Sequence, residues 1–461
     1  MTPKVTDTSI HHVHVIGIGG KGMSAIAAAL LDLGKVVSGS DLQLSPQAKR
    51  LQDRGVHIHK GHSAAHGRTA DMVIYSSAIK PQNPELVESR LRNQPVASRA
   101  SAIADLFNDR QGIAIAGTHG KTTTAAMVST ILHESGCAPS FLIGADVPSL
   151  GNLNGHIGSG QWMVLEADEF DDAFLSYQPE IAVLTHLEPD HLDHFGTIER
   201  MVDAFKTFVE NMSSDTVLIA RRDIPLVRAV AEAHHGKVQW FGPGSDWQIA
   251  DYETGIPGPS LRIDSPDEIL DVTMQVPGHH NTLNALAAIV AATQIGIEPS
   301  VAASALEKYC GSERRLQLRT QTPTISVYED YAHHPTAIRA SLQAVRELDP
   351  SRVIVVYQPL LQSRTRDLFH EFLDAFQTAD LVFLAEISSP PGRETPLGIQ
   401  SADLANAIAH PSVQALTTFE GIVDQVLDTA TSGDLILVMG PESITPLADQ
   451  LVTKLEQSPV T

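Results

Sequence analysis

One short stretch constrains this chain more than any other. An apolar run, Gly112–Ala116, is followed at once by GTHGKTTT at 117–124 and then by a helical stretch to about residue 135. A strand that turns through glycines into a helix aims backbone amides at an anion, and the helix N-terminus favours negative charge there. Gly117, Thr118, His119, Gly120, Lys121, Thr122 and Thr123 are therefore the candidate phosphate-binding residues. Lys121 would neutralise the outer phosphates, and the Thr122 hydroxyl would ligate Mg²⁺. Gly117 stands three positions before Gly120, not the five of the full Walker pattern. Strand, GxxGKT and helix together still predict a parallel α/β sheet with a phosphate site at its carboxyl edge.

A second glycine turn lies nearer the start. Residues 13–16 (VHVI) read as a buried strand, GIGGKGMS follows, and Met23, Ile26, Ala27, Leu30 and Leu31 form a helix face. Gly17, Gly19 and Gly22 make a GxGxxG arrangement. A further strand, 35–40, ends at Asp41, 19 residues after Gly22. This is the context of a dinucleotide fingerprint. The residues leave open NAD or FAD, another diphosphate ligand, or a structural turn. Ser76 and Ser77, after strand 71–75, fall where such a domain places ligand-facing loops. A dehydrogenase has no use for a triphosphate loop, so two phosphate loops on separate blocks point to a ligase or kinase with a phosphorylated acceptor.

Acids follow the second loop. The strand-like Trp162–Leu165 leads into Glu166-Ala167-Asp168-Glu169, and Ile181–Thr185 leads into HLEPDHLDHF. Mg²⁺ bound to a triphosphate takes few protein oxygens. Glu166 is the expected ligand, and His191 a second-metal ligand or phosphate neighbour. His186 and His194 read as core histidines. Lys206, beside the apolar face Met201, Ala204, Phe205 and Phe208, either reaches the site or is a solvated helix lysine. No histidine pair has a zinc spacing.

Composition bounds the class. With 461 residues, about three domains are expected. Alternating strand and helix patterns start afresh twice, giving blocks at 1–107, 108–321 and 322–461, each on a mainly parallel sheet. The third block reads strand 324–328, helix 336–347, strand 352–357, helix 366–377, strand 380–385 and strand 434–439. Residues 242–276 read as an irregular or antiparallel elaboration. A net charge of −22 argues against coating nucleic acid, and two cysteines build no disulfide framework. No apolar run reaches a membrane span, and MTPKVTDTSI has no signal core, so a cytoplasmic protein is expected.

GIGGKGMS, GTHGKTTT, EADE, EPDHLD, HHNTLNA, ERRLQ, EDYAHHP and QPLLQSRT occur in that order over about 360 residues. In this the chain resembles the Mur ligases of peptidoglycan synthesis, and within them the members that join L-alanine to UDP-N-acetylmuramate. The resemblance implies a Rossmann-like UDP-sugar domain, a P-loop ATPase-like central domain and a Rossmann-like C-terminal domain. ATP and Mg²⁺ would be the cofactors, in a monomer or homodimer. It assigns the UDP diphosphate to the first glycine loop, with Gly17, Gly19, Gly20, Gly22, Met23, Ser24, Asp41, Ser76 and Ser77 as contacts. Lys121 becomes the phosphate lysine, Thr122 and Glu166 the first-metal ligands, and His191 the second-metal residue. His280, Asn281 and Asn284 match an adenine motif, Arg315 a phosphate arginine and Asp330 an ATP contact. Tyr331, His333, His334, Arg364 and Arg366 would line the amino-acid pocket, with His333 or His334 as general base. Lys206 sits where some relatives carry a carbamylated lysine.

Several positions depart from the family pattern. Leu360, Leu361 and Gln362 replace the usual QPH-x-Y ending, Leu316 replaces the Phe of RRF, and Phe170 follows EADE where Ser is usual. Lys21 stands where a small residue is usual, and Gly440-Pro441-Glu442 replaces GAG. The altered QPLLQ keeps open a recycling ligase that attaches a tripeptide to the same UDP-sugar. More distant rivals are the D-glutamate-adding ligase, folylpolyglutamate synthase and a non-catalytic nucleotide sensor.

Overall fold

The structure, a computed structural model, describes residues 3–390 and 394–457, without the side chains of Phe170, Asp171 and Asp193. It divides into two compact units. The first takes the chain up to Gln248 with Asp264–Leu270 and Asn284–Lys308. The second takes Ile249–Ile263, Asp271–Leu283 and the chain from Tyr309 onward.

The first unit holds two sheets. β1 (His12–Ile16), β2 (Val36–Asp41), β3 (His57–Lys60), β4 (Met72–Tyr75) and β5 (Val96–Ser98) lie in the order β3-β2-β1-β4-β5. All four pairings are parallel. Strand order reverses beside β1, so a crevice opens at the carboxyl ends of β1 and β4, where open α/β sheets take ligands. The β1 side chains Val13, Val15 and Ile16 are buried, as expected for strands covered on both faces. His14 is buried with them because Glu85 meets it. Glu85 accepts from His14 Nε2 at 2.8 Å, Ser40 Oγ at 2.8 Å and His62 Nδ1 at 2.9 Å. Burial alone would raise this carboxyl, but those hydrogen bonds outweigh it and hold it at about 2.

The second sheet contains β6 (Gln111–Ala116), β7 (Ser140–Val147), β8 (Leu153–His156), β9 (Trp162–Glu166), β10 (Ile181–Leu184), β11 (Val217–Arg221) and β12 (Lys237–Phe241). Its order is β12-β11-β10-β6-β9-β7-β8, parallel except for the β7–β8 pair. β6 again lies at a reversal, between β10 and β9. The helix Lys121–Glu134 after β6 is buried from Thr122 to Leu132, so it is fixed by packing on every side. The helix Ile198–Glu210 buries Met201, Phe205, Phe208 and Val209, at most about 1.5–3 kcal/mol each. Lys206 is half-buried beside Phe205.

Residues 248–273 form three strands, β13 (Gln248–Glu253), β14 (Ser260–Asp264) and β15 (Ile269–Thr273), in sequence order. In the second unit, β16 (Gln317–Gln321), β17 (Ser326–Asp330), β18 (Arg352–Tyr357), β19 (Leu381–Leu384), β20 (Val413–Ala415) and β21 (Asp434–Met439) run β16-β17-β21-β18-β19-β20. Only β16–β17 is antiparallel. The helix expected at 366–377 is two shorter ones, Gln362–Asp367 and Phe369–Leu373. The break falls at Leu368, whose backbone leaves the helical region (φ −108°, ψ 22°), while Phe372 and Phe376 both pack on buried Tyr357, at 6.0 and 5.3 Å. Among the described residues no helix is long and apolar enough to cross a membrane.

Candidate active site

The carboxyl ends of β6, β9 and β10 bring the strongest sequence candidates together. Gly117 (φ +131°) and Gly120 (φ +82°) take backbone conformations that glycine adopts without strain. Gly120 is the N-cap of its helix and supplies no side-chain cap, so the helix N-terminus is presented by backbone alone. A Cβ on Gly120 would stand 2.5 Å from Asn284 Oδ1, which places Asn284 against the loop. The loop is also tied to the exit of β10. Thr118 donates to the His186 carbonyl from its amide (2.7 Å) and hydroxyl (3.2 Å), and Thr185 Oγ1 donates to the His119 carbonyl at 2.6 Å. His119 Nε2 bonds Glu188. The side chains of Thr118 and His119 are thus engaged by the neighbouring loop.

Lys121 is largely covered, its side chain 12% exposed, and points back into its own turn. Nζ donates to the Gly117 carbonyl at 2.5 Å and meets Glu169 Oε2 at 2.7 Å. Burial would lower its pKa, but Glu169, Asp168 and Glu166 hold it above the ordinary lysine value, so it stays charged. Glu169 is the group the motif reading passed over. It lies in the EADE run, and burial pushes its carboxyl up to about 7 against the pull of Lys121. Thr122 Oγ1 donates to Glu166 Oε1 at 2.8 Å, and the Gly144 amide donates to Glu166 Oε2 at 2.6 Å. A hydroxyl and a carboxylate at contact distance beside a phosphate turn fit the oxygen donors that Mg²⁺ takes. His191 opens the short helix Leu192–Phe195 at φ +50°, with Nε2 4.0 Å from Asp190. Burial pushes His186 down to about 4, which keeps it neutral. His194 lies 3.6 Å from Asp172.

At the first sheet, Gly17 (φ +81°) follows β1, and a Cβ there would stand 3.1 Å from Ser76 Cβ. Asp41 accepts from the Gly19 amide at 2.8 Å, so its carboxylate shapes the glycine turn itself. Gly20 is exposed, as is Ser77. Met23 and Ser24 belong to the buried face of the helix Lys21–Asp32, where Ser24 Oγ donates to the Lys21 carbonyl at 2.9 Å.

In the second unit, Asp330 ends β17 and accepts from the Leu316 and Ala332 amides at 2.7 and 2.6 Å. Burial raises this carboxyl, with Arg315 offsetting part of the effect. The Arg314 and Arg315 guanidinium carbons lie 5.0 and 5.2 Å from the Tyr331 ring centre. Arg314 is the buried one of the pair; it bonds Glu329 and the Gly440 and Pro441 carbonyls. The departure to Gly440-Pro441-Glu442 thus still supplies carbonyls to an arginine. His333 Nδ1 faces the Tyr331 carbonyl at 2.8 Å and therefore carries the proton, leaving Nε2 with the lone pair. His334 has the opposite arrangement. Its Nδ1 accepts from the Thr336 amide at 3.3 Å as N-cap of the helix Pro335–Arg346, so Nε2 carries the proton. Arg364 is buried near Tyr357, whereas Arg366 is exposed and paired with Asp367 at 2.7 Å. His280 is half-buried, and Asn281 Nδ2 donates to the Pro277 carbonyl at 2.7 Å. Leu360 and Leu361 are buried, and Gln362 Oε1 accepts from the Leu397 and Gly398 amides at 2.6 and 3.0 Å. The altered QPLLQ segment is therefore integrated into its own unit.

Three family models match the chain in order: the Mur ligase catalytic domain at residues 12–111, the Mur ligase middle domain at 115–292 and the Mur ligase glutamate ligase domain at 314–441. UDP-N-acetylmuramate–L-alanine ligase of Desulforamulus reducens is 38% identical, over 96% of this chain and 98% of its own length. That of Paenarthrobacter aurescens is 39% identical, over 97% and 98%. Among solved structures, UDP-N-acetylmuramate–alanine ligase from Thermotoga maritima superposes with a TM-score of 0.83 at 26% identity, covering 97% of this chain and 99% of its own. A murein peptide ligase from Psychrobacter arcticus gives 0.74 at 27% identity, covering 98% and 100%.

Proposed function

The chain belongs to the Mur ligase family, and on that premise we propose that it joins L-alanine to the carboxylate of UDP-N-acetylmuramate with consumption of ATP, in peptidoglycan precursor synthesis. One observation carries the chemistry: Lys121, Thr122, Glu166 and Glu169 converge on the turn after β6, as phosphoryl transfer requires. The alanine-adding relatives match over nearly their whole length, which favours L-alanine over the recycling tripeptide. Cytoplasmic residence is part of the same proposal.

A carboxylate is a poor electrophile. Transfer of the γ-phosphate makes it an acyl phosphate, the amine attacks, and a tetrahedral intermediate expels phosphate. Gly117–Thr123 hold the phosphates through backbone amides, and Lys121 neutralises charge that develops on them. Thr122 and Glu166, with His191 for a second ion, are the residues that would hold Mg²⁺, which draws charge off the phosphate oxygens. Gly17, Gly19 and Gly20 hold the UDP diphosphate. His280, Asn281 and Asn284 receive adenine, and Arg315 and Asp330 serve the nucleotide. Tyr331, His333 and Arg364 receive the amino acid. His333, not His334, is the base that takes the ammonium proton, because its Nε2 holds the lone pair. We place the domain limits at 107/108 and 321/322.

Phosphate release from ATP, measured with UDP-N-acetylmuramate and Mg²⁺, tests the reading with L-alanine, glycine, L-serine, D-glutamate and the tripeptide in separate runs. Release that depends on L-alanine is expected, and release only with the tripeptide would move the protein to recycling. Lys121→Ala should lower turnover at least about 100-fold. Full activity of that variant would overturn the scheme.

A further inference from the structure

Arg99 belongs to none of the motifs above. It opens the helix Arg99–Asn108 directly after β5, at the carboxyl rim that also carries Gly17, Asp41 and Ser76. Its guanidinium lies against the first glycine turn: a Cβ on Gly22 would stand 2.7 Å from Nε and 3.1 Å from Cζ. Nε is shut off from solvent and makes no hydrogen bond among the described residues. Nη2 lies 3.6 Å from Asp168 Oδ2, an ion pair beyond hydrogen-bond range. The side chain is 33% exposed, so the fork is open on one side. A guanidinium presents five donors in fixed geometry, and a buried donor without an acceptor is unfavourable. Here the under-used donors sit between the turn that faces a diphosphate and the acid run beside Lys121.

We propose that Arg99 binds an anionic group of the UDP-sugar, its diphosphate or its lactyl carboxylate, and that Asp168 holds the guanidinium until that group arrives. The inference rests on the UDP-sugar reading of the first sheet. The Arg99 fork suits either anion, since both present paired oxygens to a bidentate donor. Its station opposite Asp168 makes it a cation of the first sheet that faces the acid run beside Lys121. Gly22 lies in the helix Lys21–Asp32 and matters for space, because a side chain there would displace the guanidinium.

Calorimetric titration with UDP-N-acetylmuramate, without ATP or Mg²⁺, tests this. Arg99→Ala should weaken binding about 10–100-fold. Arg99→Lys should recover part of the loss, since charge returns without the fork. Asp168→Asn should bind no more weakly than the parent chain. Titration with UDP-N-acetylglucosamine, which lacks the lactyl carboxylate, identifies the group: equal loss with both sugars assigns the diphosphate, and loss confined to the muramate assigns the carboxylate. The proposal fails if Arg99→Ala binds as the parent does. It fails equally if Asp168→Asn loses as much as Arg99→Ala, because the pair would then be a brace between sheets. Melting curves and Mg-ATP binding check folding. If Arg99→Ala does not fold, Arg99→Lys decides, and parental affinity there overturns the idea. A parent chain that binds no UDP-N-acetylmuramate would instead overturn the UDP-sugar reading, and this inference with it.

Discussion

Glu85 shows how much one buried carboxylate can organise. Ser40 Oγ, His14 Nε2 and His62 Nδ1, from two strands and the loop after β3, converge on it. Because its folded pKa is depressed to about 2, its stabilisation is fully present above its unfolded value and is lost as pH falls toward 2. Glu85→Gln should therefore lower stability by about 3 kcal/mol at pH 7. Its deficit against the parent should shrink as pH falls below about 4.5. Melting curves of both proteins between pH 3 and 7 check this, and a constant deficit would rule it out. None of this was legible in sequence, since residues 14, 40, 62 and 85 meet only once the sheet has formed. The same holds for His333 and His334, whose tautomers depend on a carbonyl and an amide of the folded loop. Lys121 and Thr122 were legible, because their chemistry is local to one turn.

At the scale of elements, chemistry collects where parallel strands hand over to helices. β6 and its helix were readable because an apolar run, two glycines and a lysine fall within a dozen residues. Gly120→Ala should lower ATP affinity about tenfold and destabilise the chain by about 1–2 kcal/mol. An added Cβ meets Asn284 Oδ1 in a backbone conformation that favours glycine. Isothermal titration with Mg-ATP and a melting curve check both parts, and parental affinity would show that the loop tolerates the strain. The helix expected at 366–377 shows where such reading stops. The helix breaks at Leu368, which keeps an apolar residue in the pattern while its backbone leaves the helix, and periodicity carries no trace of that. Strand β17 lies two residues later than its apolar run suggested, because Glu329 and Asp330 are drawn into the sheet by Arg314 and the Leu316 amide.

The whole molecule carries a net charge of −22, yet its expected substrates are anions. Long-range repulsion should slow their approach at low ionic strength, while Lys121 and bound cations act only at short range. Raising salt from about 10 to 150 mM should therefore increase kcat/KM for the UDP-sugar a few-fold. Initial rates across a sodium chloride series check the sign, and a monotonic fall would place a local cationic patch in control. Charge and parallel architecture were open to sequence, whereas the division into two compact units was not, because residues 249–283 alternate between them. The Lys121–Glu169 pair adds a last consequence at this scale. With the ammonium already facing the Glu169 carboxyl, a phosphate arriving at the proposed site would replace one acidic partner by another. Selectivity at that site would then grow with the charge of the incoming group, because a group of higher charge competes better with a carboxyl 2.7 Å away. Adenosine can fill an adenine pocket, but it leaves this latch closed, and an uncharged nucleotide mimic would inherit the same handicap.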